Sequence, residues 1–278
     1  ISLGINVIDL DLSTTPTVEL MVKEYNADGG IIITASHNPT EWNALKLLDE
    51  NGEFLNSVEG EKIIDISESK KFIFSNVHEL GKIYKSNDSM KKHIECVLNL
   101  NLVDVEKIKS KKIKVVVDAV NSTGGLIVPD FLEELNIEVI KLYCEPNGDF
   151  PHNPEPLKKN LTELSKKVIE CNADLGIAVD PDVDRLVFVC EDGELFGEEN
   201  TLVACADYVL SKTPGSTVSN LSSSRALNDI TKKHNQVHYY SAVGEVNVVD
   251  KMKKCKAVIG GEGNGGVIYP KSHYGRDS

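Results

Sequence analysis

The strongest constraint on the fold is a regular alternation of short apolar runs with helix-patterned segments through the middle of the chain. Residues 113–117, 137–142 and 175–179 read as strands, and segments around 126–135 and 161–169 read as helices. Strands separated by helices of this length predict a parallel sheet with right-handed crossovers. Ligands in such sheets bind beyond the carboxyl ends of the strands. The third of these strands runs straight into Asp180-Pro181-Asp182-Val183-Asp184-Arg185.

The same grammar occurs on either side. Residues 31–34 form an apolar strand that ends in Ala35-Ser36-His37-Asn38-Pro39, and a strand at 257–259 ends in Gly260-Gly261-Glu262-Gly263-Asn264-Gly265-Gly266. Before the first loop, a strand is expected over 4–9, then a helix capped by Thr15 with Pro16 in its first turn, stopped by Gly29-Gly30. Asn51-Gly52 marks a hairpin between 44–48 and 53–55, and Asp192-Gly193 marks another. The polar stretch 67–87 reads as the exit from a first domain. A helix is expected from Met90, and the third unit begins near Gly197 with a helix through Val203 and Tyr208 and a strand over 217–221.

A chain of 278 residues is long enough for two domains or for parts of three. Its net charge of −13 opposes nucleic acid and anionic membrane surfaces, both of which demand a basic face. No apolar run approaches the roughly 18 residues of a membrane span. The six cysteines show no CxxC spacing, which predicts reduced thiols in a cytoplasmic protein.

Three carboxylates at alternating positions, Asp180, Asp182 and Asp184, repel one another unless a cation joins them. Carboxylate and water oxygens suit Mg²⁺, which completes its octahedron with a phosphate oxygen. Ser36 offers a nucleophilic hydroxyl and Arg185 a cation for transferred charge, so the two loops together suggest phosphoryl transfer. Each loop alone has a plainer reading: a turn-capping serine, a solvated acidic turn, a tight glycine turn. In the glycine loop, Glu262 and Asn264 are candidates to hold sugar hydroxyls where the backbone approaches closely. It is no dinucleotide fingerprint, because its glycine spacing is wrong.

With these loops in this order, the chain resembles the α-D-phosphohexomutase family. Thr34-Ala35-Ser36-His37-Asn38-Pro39 is similar to the family's phosphoserine loop, Asp180 to Arg185 to its Mg²⁺ loop, and Gly261-Glu262-Gly263-Asn264-Gly265 to its sugar-recognition loop. The resemblance covers nearly the whole chain but only part of a four-domain protein. It implies an α/β fold of tandem three-layer α/β/α domains with mixed, mostly parallel sheets, divided here as 1–86, 87–196 and 197–278. The start of the first domain and the fourth domain are expected to be missing.

The resemblance also implies roles. Phosphorylated Ser36, itself a metal ligand beside Asp180, Asp182 and Asp184, passes its phosphoryl to a hexose or hexosamine phosphate. A bound sugar 1,6-bisphosphate, which also serves as activator, turns over and returns its other phosphate. Asn43-Ala44-Leu45-Lys46 matches the family's Asn-Gly-x-Lys except for alanine in place of glycine, making Lys46 the general acid/base, with its pKa lowered by Arg185 and Mg²⁺. His37 is expected to touch phosphate or substrate, and Gly261, Glu262 and Asn264 to bind sugar.

Asn264 and Gly266 stand where many relatives carry serine and histidine, and Val243-Gly244-Glu245 places an acid where many glucose and mannose enzymes carry a basic residue. Glu245 is thus expected to meet an ammonium, which favours glucosamine 6-phosphate over mannose and glucose phosphates. The partner is a small sugar phosphate, and the protein a monomer or homodimer. Two other classes stay open: a haloacid-dehalogenase-like phosphatase with Asp180 as nucleophile, and a non-catalytic sugar-phosphate binder.

Overall fold

Pairing begins with β1 (Val7–Asp9), which lies parallel to a strand reached only much later, and the chain then enters helix α1 (Thr15–Glu24). The residue that caps this helix is Thr14 and not Thr15: its side chain accepts from Thr17 N while Thr15 is already helical. The helix stops at Tyr25, one turn before the expected glycines. Strand β2 (Gly30–Ile33) pairs antiparallel with β3 (Leu45–Leu48), which sets Lys46 opposite Ile32. The turn at Asn51-Gly52 is present, with Gly52 at φ 72°, but 53–55 contributes only an isolated bridge from Phe54 to Leu48. These are features of a computed structural model describing residues 1–38 and 41–278; Pro39, the last residue of the serine loop, lies outside the described residues.

Helix α2 (Ser57–Ser69) is followed by β4 (Ile83–Lys85), the partner of β1, and by α3 (Ser89–Leu98) and the short α4 (Val105–Lys109). Then come β5 (Lys114–Asp118), α5 (Gly124–Glu134), β6 (Glu138–Leu142), α6 (Thr162–Glu170), β7 (Leu175–Val179) and β8 (Leu186–Cys190). The sheet order is β6-β5-β7-β8, parallel except for β8. Central β5 carries three consecutive valines, Val115, Val116 and Val117, at 2%, 0% and 0% exposure. Such a run suits a strand covered on both faces. Val116 packs with Leu164 and Val168 of α6, and Val115 and Val117 pack with Leu132 of α5 on the opposite side, which makes three layers.

The remaining elements are α7 (Glu198–Lys212), β9 (Thr217–Asn220), α8 (Ala226–Lys233), β10 (His238–Ser241), α9 (Glu245–Cys255), β11 (Ile259–Glu262), β12 (Gly266–Ile268) and β13 (Arg276–Asp277). They build a sheet ordered β10-β9-β11-β12-β13, in which the first three strands run parallel and the last two antiparallel. The molecule is therefore a tandem α/β/α protein with mixed, mostly parallel sheets. Its three polar loops follow β2, β7 and β11.

Candidate active site

Strand β2 ends at Ile33, and the chain turns sharply so that Ser36 takes φ 50°. Its amide donates to Thr34 Oγ1 at 2.9 Å, and the side chain of Asn38 closes the turn by donating to Ala35 O at 2.8 Å. This turn carries the Ser36 hydroxyl onto the acidic loop, where Oγ donates to Asp180 Oδ2 at 2.8 Å. His37 Nδ1 stands 3.2 Å from the same hydroxyl. Burial and then the Arg185 guanidinium hold the His37 imidazole below its ordinary pKa, which favours the neutral ring.

Asp180, Asp182 and Asp184 are all buried, and each brings one carboxylate oxygen within 4.8 Å of the others. The spacing works because Val183 is in the left-handed region at φ 63°, a costly conformation for a β-branched residue. Val183 packs into the β5 and β7 core as it does so. Ser122 and Thr123 hydroxyls both donate to Pro181 O at 2.7 Å, bracing the loop from the start of α5.

One oxygen of each carboxylate is held by protein donors. Asp180 Oδ1 accepts from the amides of Asp184 and Arg185; Asp182 Oδ2 accepts from Thr15 Oγ1 at 2.6 Å and Lys46 Nζ at 2.6 Å; Asp184 Oδ2 accepts from Lys46 Nζ at 3.1 Å and Arg276 Nη2 at 2.7 Å. The other oxygens, Asp182 Oδ1 and Asp184 Oδ1, are buried without a hydrogen-bond partner among the described residues, and Asp180 Oδ2 faces Ser36. Arg185 Nε approaches Asp184 Oδ1 only to 3.8 Å, too far to satisfy it. Buried acceptors without donors are costly, and oxygen-only donor sets of this kind fit a hard divalent cation such as Mg²⁺. Burial, reinforced by Asp184 and Asp182, pushes the Asp180 carboxyl well above its usual range, as expected of a buried acid beside like charges.

Lys46 reaches this cluster from β3 because its register opposite the buried Ile32 aims it inward. Protein groups move its pKa upward, whereas the sequence expectation is a lowering by Arg185 together with Mg²⁺. Burial alone would lower it, but Asp184 and Asp182 outweigh burial and raise it, so the side chain is held as an ammonium. The expected lowering by Arg185 is a correction to make: two carboxylates within 3.1 Å dominate the field.

The glycine loop turns between β11 and β12. Protein donors brace Glu262 at both oxygens. Oε1 accepts from Asn220 Nδ2 at 2.6 Å and Gly244 N at 3.2 Å, and Oε2 accepts from Arg276 Nη1 at 2.9 Å. Gly261 is buried, while Asn264 is half-buried and its Oδ1 accepts from Gly266 N at 3.2 Å. Glu245 requires a fuller correction. It is 8% exposed at the start of α9, and both its oxygens are taken by the backbone and side chain of Arg276 at 3.0 and 2.9 Å. Burial is the main influence raising its pKa, against the pull of Arg276. A carboxylate so engaged does not present itself to a substrate ammonium.

Sequence reasoning missed Thr15, Asn220 and Arg276. Their site contacts are distant in the chain: Thr15 meets Asp182 167 residues on, Asn220 meets Glu262 42 residues on, and Arg276 meets Asp184 92 residues back. All three loops nonetheless converge: Ser36 on Asp180, Lys46 on Asp182 and Asp184, and Arg276 joining Asp184 to Glu262.

A tandem α/β/α architecture whose strand-end loops gather a serine, an acidic triad and a glycine loop at one place defines the class. Comparison with known proteins gives the family. Residues 1–74, 91–193 and 198–278 match the alpha/beta/alpha domains I, II and III of phosphoglucomutase/phosphomannomutase. The chain is 38% identical over 279 residues to a phosphoglucomutase/phosphomannomutase of Thermococcus kodakarensis, covering 100% of this chain and 60% of that one. It is 34% identical to a protein named "probable phosphoglucosamine mutase" of Methanopyrus kandleri, covering 97% and 59%. The crystal structure of a phosphoglucomutase/phosphomannomutase family protein of Burkholderia thailandensis superposes with a TM-score of 0.85 at 24% identity, covering 100% and 60%. The chain belongs to the phosphoglucomutase/phosphomannomutase family, and it spans about 60% of the length of these curated relatives.

Proposed function

We propose that the protein moves a phosphoryl group between O6 and O1 of a hexosamine or hexose phosphate, through phosphorylated Ser36 and a sugar 1,6-bisphosphate. The observation that carries this reading is the Ser36 hydroxyl set 2.8 Å from Asp180, whose loop-mates Asp182 and Asp184 each keep one buried oxygen without a hydrogen-bond partner among the described residues. Asp180, Asp182 and Asp184, with a phosphate on Ser36, would hold Mg²⁺, which when bound neutralises charge on phosphoryl oxygens. In the transfer, the bond from phosphorus to Ser36 Oγ breaks as a bond to the sugar oxygen forms, and the sugar hydroxyl gives up its proton, which Lys46 is assigned to take up once it has given its own to the departing serine oxygen. The Lys46 ammonium, anchored on Asp182 and Asp184 of the same acidic loop, is assigned to offer positive charge and a proton to the departing serine oxygen. His37 at 3.2 Å orients that oxygen, and Arg185 is assigned to charge on the moving phosphoryl.

Among sugars, glucosamine 6-phosphate to glucosamine 1-phosphate is the preferred assignment, with phosphomannomutase or phosphoglucomutase activity as the alternative. Its support is the naming of relatives such as the M. kandleri protein, and no longer an exposed Glu245. Glu262, Asn264 and Gly261 are assigned to the sugar, with the three loops supplied by units 1–86, 87–196 and 197–278.

The test is phosphopeptide mass spectrometry after incubation with Mg²⁺ and glucose 1,6-bisphosphate, with Ser36→Ala in parallel and a hydroxylamine wash. Hydroxylamine-stable phosphate on Ser36, absent from the variant, is expected. Labile phosphate on Asp180 would instead establish the aspartyl phosphatase, and no phosphate on either residue, in a repeat on the full-length protein, a binding protein.

A further inference from the structure

We infer that Arg276 is a positioning residue that joins the glycine loop to the acidic loop, so that one guanidinium sets both sugar recognition and metal affinity. The inference rests on the phosphohexomutase reading and adds to it a residue that touches neither the transferred phosphoryl nor Ser36.

The geometry is a three-way fork. Arg276 opens β13 with its side chain only 10% exposed. Its Nη2 donates to Asp184 Oδ2 at 2.7 Å, Nη1 to Glu262 Oε2 at 2.9 Å, and Nε to Glu245 Oε2 at 2.9 Å, while its own amide donates to Glu245 Oε1 at 3.0 Å. The stem has room because position 266 is glycine: a Cβ there would lie 2.3 Å from Arg276 Cδ. Three carboxylates from the loop after β7, the end of β11 and the start of α9 thus share one planar donor set. A lysine's three donors all radiate from one nitrogen, so it cannot reproduce the reach of three separated nitrogens held in one plane.

This arrangement has two consequences of opposite sign. At Asp184, the guanidinium is a fixed positive charge beside a metal ligand, so it reduces the attraction of that carboxylate for a divalent cation. At Glu262, it is the cation that fixes the orientation of the sugar loop through a charge-assisted bond. Removing it should therefore tighten metal binding and weaken sugar-phosphate binding. Simple damage to the fold would weaken both.

The experiment uses the full-length protein, as wild type, Arg276→Met and Arg276→Lys. Mn²⁺ affinity is read from electron paramagnetic resonance of the free ion, glucosamine 6-phosphate affinity from calorimetry at saturating Mn²⁺, and fold integrity from thermal melts. Arg276→Met should bind Mn²⁺ about fivefold tighter and the sugar phosphate roughly tenfold weaker. Arg276→Lys should keep Mn²⁺ affinity within about twofold, because the charge remains, yet lose sugar affinity as the methionine variant does. Both affinities falling together, or a lysine variant equal to wild type in both, would overturn the inference. If the methionine variant fails to fold, the lysine variant decides alone. A wild type that binds neither probe would remove the functional reading and this inference with it, whereas wild-type binding without the split removes only the inference.

Discussion

At the scale of single residues, identity was more legible than environment. Ser36, Asp180, Asp182, Asp184 and Lys46 could be picked out because they sit where strands end or in a spaced pattern, and the structure brings them within contact of one another. What could not be read was which charges each would face. The pKa of Lys46 and the partner of Glu245 both depend on residues that arrive from other elements. The same applies to His238 on β10, whose ring nitrogens lie 2.8 Å from Thr217 Oγ1 and 3.2 Å from Ser219 Oγ. Burial, then Lys232, pushes its pKa down to about 4. Because the folded form takes up its proton only near that value and the unfolded form near 6.5, the unfolded chain binds more protons in between. Stability from this residue is complete above that window and is lost as pH falls through it. Discounted for partial exposure, the loss is about 1 kcal/mol. Urea unfolding near pH 7.5 and about pH 5 should show a pH difference larger by that amount in wild type than in His238→Gln; equal differences would count against it.

At the scale of elements, period and punctuation located most strands and helices, with errors at ends and in the first unit. Helix α2 was missed although Asn56 and Glu59 form a reciprocal capping box, a signal present in the sequence but weakened by a helix with no buried residue. The cap of α1 was displaced by one residue because Thr14 and Thr15 are adjacent hydroxyls and only the fold shows which one points at Thr17 N. The glycine loop is where element geometry becomes function. Gly265 has φ 93°, and a Cβ on it would meet Leu186 O at 2.5 Å, in the backbone that leads out of the acidic loop. Gly265 O also accepts from Leu186 N at 3.1 Å, so the two loops are stitched together at this point. Gly265→Ala is expected to cost about 2 kcal/mol in urea unfolding and to weaken sugar-phosphate binding. Gly263→Ala should be milder, since its added Cβ meets only the end of the Glu199 side chain. A Gly265 variant as stable as the Gly263 variant would show that the strain is relieved elsewhere.

At the scale of the whole molecule, the acidic loop is one place where the separate sheets are tied to one another. Thr15 N donates to Asp182 O at 2.9 Å, Lys46 bridges Asp182 and Asp184, Leu186 N donates to Gly265 O, and Arg276 reaches Asp184 from β13. Net charge of −13 gives the molecule no general attraction for phosphorylated ligands, so in the function proposed above a cation at this loop would supply it locally. Binding there acts on the folded state only, since the unfolded chain does not hold three carboxylates within 4.8 Å of one another. Mg²⁺ at a hundred times its dissociation constant should therefore stabilise the protein by about 2.7 kcal/mol, and a chelator should reverse this. Since first-unit and third-unit residues both contact the loop, the gain should extend beyond the β5–β8 sheet. Hydrogen exchange is expected to slow at the amides of Thr15, Leu186 and Arg276 together on adding Mg²⁺, and Asp182→Asn should abolish the effect at all three. Protection confined to the amides of Asp184 and Arg185 would mean that the loop binds its cation without coupling the units, and the tie described here would have no thermodynamic weight.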